Sequence, residues 1–434
     1  MRVLYLASPR KRPEQITAFS FIDEELEALA AAGVEAYVLS TEVEREHRHR
    51  GARLCPVPPA RSPAERLAVL RFLYATRALL PGTLALRRLP YLVHVARIEQ
   101  AAAQLAQREG IEVLHSHFGY PGGFGGLLAR RATGLPLVAS FRGMDLVVDA
   151  AIGYGLRGDA FYDRNVRALL RTADQTTYVS DFMRRAGLAL GAPAERATTI
   201  WKGVDLERFS ANHEQAACKQ ALGLQGPVVL AVAGLSKRKG LDHILEALGR
   251  LRETHAFTFV VCGTGSELSA LQAQARALGL AERTRFVGRI ERDEIARYFA
   301  ACDVFVLASL HEASGNVLLE AMASARPVVC TDSGGPPEYV ADGETGFVVP
   351  PADPPALAER LRHLLDDAAL RARFGRAGRA RAERRFAYGR MIDDLLGVYR
   401  RVTGGAPRGG RPADAPGMER RRTPSSVLGP PRAG

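Results

Sequence analysis

A short apolar run, Arg2 to Leu6, opens the chain, and such runs alternate with helical spacing along most of its length. Phe21 to Ala32 places apolar residues at helical intervals, with acidic residues early and Gly33 as a stop. Ala36 to Ser40 reads as a strand, as do Val113 to His117, Leu137 to Phe141 and Gln175 to Val179. After Phe209 the alternation restarts. Val228 to Ala233, Phe257 to Cys262, Thr284 to Val287, Val304 to Ala308 and Pro327 to Thr331 are strand-like. Asp242 to Arg252, Glu267 to Leu278 and Asp293 to Ala300 are helical, and a further helix begins near Gly315 or Asn316.

Alternating strands and helices predict parallel sheets joined by right-handed crossovers. Two such series, meeting near Lys202 to Asn212, predict an α/β protein of two Rossmann-like domains. The expected boundaries are 1–205 and 206–385, with a C-terminal helix over 386–403 packing back on the first domain. The remainder, 404–434, is rich in Pro, Gly, Arg and Ser and is expected to be a disordered basic tail. Ligands bind such sheets beyond the carboxyl ends of the strands, so a cleft between the facing domains is the expected site.

Composition narrows the setting. At 434 residues the chain exceeds one ordinary core. Its five cysteines form no CxxC pair, which argues against a disulfide framework or zinc knuckle and for a reducing compartment. The start, MRVLYLASPRKR, lacks a signal-peptide core, and no run approaches membrane-spanning length, so a cytoplasmic protein is expected. The net charge of +12 is uneven: eleven arginines face Glu46 and Glu65 between Arg45 and Arg97. Within that region, Pro63 to Leu92 mixes arginines with Leu67, Leu70, Phe72, Leu73 and Tyr74. This suits a helix lying on an anionic membrane surface, or a basic exposed helix covering a core. No aromatic-basic motif supports nucleic acid as a partner.

Five stretches carry candidate chemistry. Gly234-Leu235-Ser236-Lys237-Arg238-Lys239-Gly240 follows a strand and opens a helix, so its N–H groups and lysines form either a phosphate seat or an ordinary basic turn. It matches neither a dinucleotide fingerprint nor a Walker loop. Cys262-Gly263-Thr264-Gly265-Ser266 reads as a strand-end turn. In HEASGNVLLEAMASARPVV, Glu312 precedes a helix start and Glu320 lies within the helix. Glu320 can accept from vicinal hydroxyls such as a ribose offers. Glu312 either accepts from sugar hydroxyls or complements the helix N-terminus. His115 and His117 share a strand face, with no third ligand at usable sequence spacing, so a hydrogen-bonding strand end is favoured over a metal pair. Arg142, after the next strand, is a cleft cation or a salt-bridge partner of Asp145.

The run EASGNVLLEAMASARPVVCTDSGGPPEYVADGETGFVVPPADPPALAERL resembles the E-x7-E region of retaining glycosyltransferases of family 4, which have the GT-B fold. AVAGLSKRKGLD, LGLAERTRFVGRIERDEIARYFAACDVFVLAS and TTIWKGVDLERF extend the likeness. LHSHFG and GLPLVASFRGMDL resemble the branch that builds colanic acid and similar exopolysaccharides. The resemblance implies a metal-independent, retaining hexosyltransferase that moves a sugar from a UDP- or GDP-sugar to a polysaccharide or lipid-linked glycan, with no cofactor. It places Glu312 by the donor sugar, Glu320 on the ribose and Lys239 on the diphosphate. Gly234, Lys237 and Arg238 then line the phosphates, and the N–H groups of Gly315, Asn316 and Val317 face the donor. The base stacks near Gly288, Arg289 and Ile290. Arg142 becomes a catalytic-site cation, and His117, Gly119 and Asp145 lie on the acceptor side.

Three departures stand out. Ala233-Gly234 occupies the family's Gly-Arg pair, leaving a phosphate contact to Lys237 or Arg238. Arg142-Gly143 replaces a His-Gly. Ala18-Phe19-Ser20-Phe21 stands where relatives have Ser-Glu-Thr-Phe, so no acceptor-side carboxylate is expected. Two alternatives share the fold: a nucleotide-sugar 2-epimerase, and a non-catalytic protein that binds a sugar nucleotide or glycan.

Overall fold

Two parallel sheets form the frame of the computed structural model, which describes residues 1–6, 20–41, 43–58 and 89–404, with 67, 70 and 74 described singly. The first sheet contains β1 (Arg2–Leu6), β2 (Glu35–Ser40), β3 (His47–His49), β4 (Ala52–Pro56), β5 (Val113–His117), β6 (Leu137–Phe141), β7 (Gln175–Tyr178) and β8 (Ala197–Thr199). Its order is β3-β4-β2-β1-β5-β6-β7-β8. All neighbours are parallel except the β3–β4 hairpin. The second contains β9 (Val228–Val232), β10 (Thr258–Cys262), β11 (Thr284–Gly288), β12 (Val304–Leu307), β13 (Val328–Thr331) and β14 (Gly346–Val349), in the order β11-β10-β9-β12-β13-β14.

Both faces of each sheet are covered by helices, which is why the central strands read as unbroken apolar runs. On β1, Leu4 and Leu6 enter a core with helices Leu89–Glu109 and Phe124–Thr133. Val3 and Tyr5 point the other way, into a core with helices Ser20–Ala31 and Tyr388–Val402. Tyr388–Val402 thus returns from the end of the described chain to the first sheet, burying Met391, Ile392, Leu395, Val398 and Tyr399. Each sheet reverses its strand order once, between β1 and β5 and between β9 and β12. Loops leaving the strands at such a reversal diverge and open a crevice at their carboxyl ends.

The hydrophobic pattern misses β3, β4, β8 and β14. Three residues such as His47-Arg48-His49 or Ala197-Thr198-Thr199 are too short to show a period of two, and the five of β4 are interrupted by Arg53. The expected Ala18-Phe19 departure, most of the Pro63 to Leu92 stretch and the tail from 405 lie outside the described residues.

Candidate functional site

In the second half, β9 and β12 are neighbours, so the turn after β9 and the loop after β12 lie side by side. Leu310 N–H donates to Arg238 O at 2.8 Å, stitching them together. Gly240 makes the approach possible: its φ is +60°, and a Cβ there would lie 2.1 Å from Ala308 O. The result is a direct contact in which Lys239 Nζ donates to Glu312 Oε2 at 2.5 Å. Ser309 Oγ donates to the same oxygen at 3.3 Å, and Arg238 Nη1 lies 3.6 Å away. Burial pushes the Glu312 carboxyl up, but Lys239 and Arg238 outweigh it and hold the group below its ordinary value. Glu312 therefore pairs with a cation and does not cap the helix.

Helix Asn316–Ala323 starts from Gly315, left-handed at φ 94°, and no side chain caps it. Its first N–H groups are left for a ligand. Glu320, on the second turn, is half-buried, and its carboxylate makes no protein hydrogen bond among the described residues. Burial pushes its carboxyl up to about 7, against the pull of Arg292 and Arg208. Glu24, on helix Ser20–Ala31 of the first half, binds both arginines. Arg208 Nη1 lies 3.1 Å from its Oε1, Arg292 contacts the same oxygen, and Tyr388 donates to Oε2 at 2.8 Å.

Of the two candidates to replace the missing arginine, only Arg238 reaches Glu312. Lys237 is exposed and pairs with Asp242 at 3.6 Å and Glu267 at 3.2 Å. A Cβ on Gly234 would meet Thr264 O at 3.9 Å, an ordinary contact, and Leu235 N–H donates to Thr264 O at 2.9 Å. Gly263 N–H donates to Gly288 O at 2.7 Å, joining the ends of β10 and β11. Arg289 is exposed beside Glu291, while Ile290 packs partly on the core.

In the first half, the Arg142 guanidinium is not a free cleft cation, and its salt bridge runs to Glu25, with only its backbone bonded to Asp145. Arg142 Nη2 donates to Glu25 Oε2 at 2.9 Å, and Arg142 Nε donates to His117 Nδ1 at 3.0 Å. An arginine only donates, so His117 accepts at Nδ1 and carries its proton on Nε2. Asp145 instead takes the N–H groups of Gly119 at 3.0 Å and Gly143 at 3.1 Å, fastening the β5 and β6 loops to each other. His117 and Asp145, expected on the acceptor side, are thus spent inside the protein. Glu25 supplies a third ligand-type group beside His115 and His117, brought there by the fold and not by sequence spacing. Ligand atoms of these three lie within 4.8 Å of one another. A cation is nonetheless disfavoured: His115 uses Nδ1 on Tyr399 Oη at 2.6 Å and Nε2 on Ser140 Oγ at 2.7 Å, and Glu25 already answers Arg142. The sequence did hold a signal for Glu25, because it falls on the face that buries Ile22, Leu26 and Leu29.

The halves meet beside Glu312. A Cβ on Gly143 would lie 2.6 Å from Tyr154 Oη and 3.4 Å from Ala313 Cβ, so this glycine lets the β6 loop touch the Glu312 loop. His311 packs against Tyr154 and Phe182, with ring centroids 5.0 and 5.7 Å away. The Arg238 guanidinium lies over Tyr154 at 5.1 Å. Ser180 Oγ donates to Ala313 O at 2.6 Å. Glu338 of the second half accepts from Asp181 N and Phe182 N, each at 2.7 Å, at the start of helix Asp181–Ala189.

The family described as Glycosyltransferase Family 4 matches residues 19–208, and that described as Glycosyl transferases group 1 matches 214–381. D-inositol 3-phosphate glycosyltransferase 1 of Catenulispora acidiphila is 32% identical over 327 residues, 71% of this chain and 77% of that one. The chain belongs to the family 4, group 1 glycosyltransferases. D-inositol 3-phosphate glycosyltransferase of Streptomyces avermitilis is 34% identical over 287 residues, 63% of this chain and 61% of the relative, so this match spans about three fifths of the relative's length. GDP-mannose-dependent alpha-(1-6)-phosphatidylinositol monomannoside mannosyltransferase of Mycolicibacterium smegmatis is 35% identical over 264 residues, 58% and 67% of the two chains. Anabaena HepE, solved in complex with UDP and glucose, superposes with a TM-score of 0.69 at 21% identity, over 92% of this chain and 98% of that one. The two-sheet frame is the GT-B fold.

Proposed function

We propose that the chain transfers a sugar from a UDP- or GDP-sugar to a hydroxyl of a growing polysaccharide or lipid-linked glycan, with retention at the anomeric carbon. The observation that carries this reading is the Lys239–Glu312 pair beside the uncapped start of helix Asn316–Ala323. Breaking the bond from the anomeric carbon to the phosphate oxygen builds negative charge on the leaving diphosphate. Lys239, Arg238 and the N–H groups of Asn316 and Val317 are placed to stabilise that charge, so the protein itself supplies the positive charge for a metal-independent transfer. Glu312, kept ionised, accepts from hydroxyls of the donor sugar, and Glu320 accepts from the ribose. The acceptor hydroxyl enters on the face the phosphate leaves, and its proton passes to the departing phosphate oxygen.

The named substrate of the mycolicibacterial relative, GDP-mannose, supports a nucleotide-sugar donor. The exopolysaccharide branch remains our reading of the acceptor. Among the described residues no helix is long and apolar enough to cross a membrane. We place the protein at the cytoplasmic face as a peripheral protein because Leu67, Leu70 and Tyr74, one helical face by spacing, are 48%, 40% and 61% exposed amid arginines. A screen of UDP- and GDP-sugars with anomeric NMR tests the transfer: one donor should be consumed with retention and without added metal. Inversion in the product would refute the stereochemistry.

A further inference from the structure

A cavity of about 30 Å³, room for about two waters, lies at the carboxyl ends of β5 to β8, beneath helix Tyr388–Val402. Its polar wall is Glu25, His115, Ser140, Arg142, Thr177 and Lys202. Lys202 arrives from the segment after β8, its N–H held by Tyr339 Oη at 3.4 Å, and the residue is 7% exposed. Its ammonium makes no hydrogen bond or ion pair among the described residues. The neighbouring acceptors are already committed. Glu25 takes Arg142 and Tyr5, both at 2.9 Å, and both His115 nitrogens are engaged. Ser140 and Thr177 share a bond of 2.6 Å. Lys202 is therefore a buried cation with no uncommitted anion beside it, which is costly unless an anion completes the set. The same imbalance shows on Lys202 itself: burial, and after it Arg142, lowers its ammonium to about 7, with Glu25 only partly opposing them.

We infer that this cavity binds an anionic oxygen group, a carboxylate or a phosphate, with Lys202 as its principal partner and the Ser140 and Thr177 hydroxyls beside it. The site is separate from the donor-binding groups of the second half. Arg142 connects it to the cleft, since the adjacent Gly143 touches Ala313 next to Glu312. If the transfer proposed above holds, the natural source of the group is an acidic acceptor.

The test titrates the full chain with inorganic phosphate, with acetate and with neutral glycerol, following a lysine Cε resonance assigned to Lys202 by its absence in Lys202→Met. At least one anion should shift that resonance saturably, glycerol should not, and the two anions separate phosphate from carboxylate chemistry. Calorimetry should show at least a tenfold loss of anion affinity in Lys202→Met and retention in Lys202→Arg. Lys202→Gln gives the same reading if the methionine variant does not fold. A Lys202 resonance unmoved by both anions, meaning a cavity that holds water only, overturns the inference, as does equal anion binding in wild type and the Met or Gln variant. UDP and GDP titrations of the same samples report separately on the donor site. Nucleotide binding without an anion response sinks only this inference, and an anion response without nucleotide binding sinks only the transfer reading.

Discussion

Lys239 and Glu312 are 16% and 12% exposed, so each is expensive to leave without the other. Lys239→Ala should cost about 3 kcal/mol of stability, the usual scale for stranding one partner of a buried pair, and lower kcat by about a hundredfold, the scale of losing one charge-stabilising group. Adding Glu312→Gln should recover stability and leave turnover low. Thermal unfolding and steady-state rates on the single and double variants separate the two roles. Glu320 carries a pH prediction. Its carboxyl, raised to about 7, is ionised only above that value, so donor affinity should weaken as pH falls through 7. A raised acid is also a stability cost once ionised: the cost develops as pH rises from the unfolded carboxyl's range to about 7, and is complete above it. Glu320→Gln should therefore raise Tm by roughly 1–3 °C at pH 8 while flattening the pH profile of donor KM. Glu312 and Lys239 were legible as positions because each sits on a strand-to-helix junction, while their roles and that of Glu320 came from the E-x7-E resemblance. Arg142 was legible as a position but not as a role. Its partner Glu25 lies 117 residues away, and only the pairing of β1, β5 and β6 brings them together.

At the scale of elements, the central strands were readable because both faces are covered and the apolar runs are unbroken. The β3–β4 hairpin was hidden in the arginine-rich region, where side chains such as Arg53, paired with Glu109 at 2.9 Å, spend their charge on the fold. Junction geometry offers a sharper check than strand assignment. Glu338 accepts the first two N–H groups of helix Asp181–Ala189 and the Trp201 indole N–H at 2.9 Å. Glu338→Ala should cost about 1–2 kcal/mol, the range of a lost helix cap, read as a fall in Tm, with Glu338→Gln intermediate. The signal in Pro336-Pro337-Glu338 was silent because the helix it caps belongs to the other half of the chain.

Across the whole molecule, the alternating pattern foretold two sheets and a crevice, but not what holds the halves in register. That work falls to Tyr154 and Phe182 around His311, Ser180 on Ala313, and Glu24 between Arg208 and Arg292. Such contacts join residues more than a hundred positions apart and leave no local periodicity to read. The exposed Leu67, Leu70 and Tyr74 carry the membrane expectation. Vesicles with anionic lipid should bind the protein at low salt and release it as salt rises, and binding indifferent to lipid charge would contradict a basic docking face. In the function proposed above, the junction of Lys239, Glu312 and Glu320 grips a nucleotide sugar for transfer. Its most direct measurement is nucleotide release from a panel of UDP- and GDP-sugars by wild type, Lys239→Ala/Glu312→Gln and Glu320→Ala. Wild type should turn over at least one donor, with at least a tenfold loss in both variants; no turnover of any donor, or variants that match wild type, would contradict this grip.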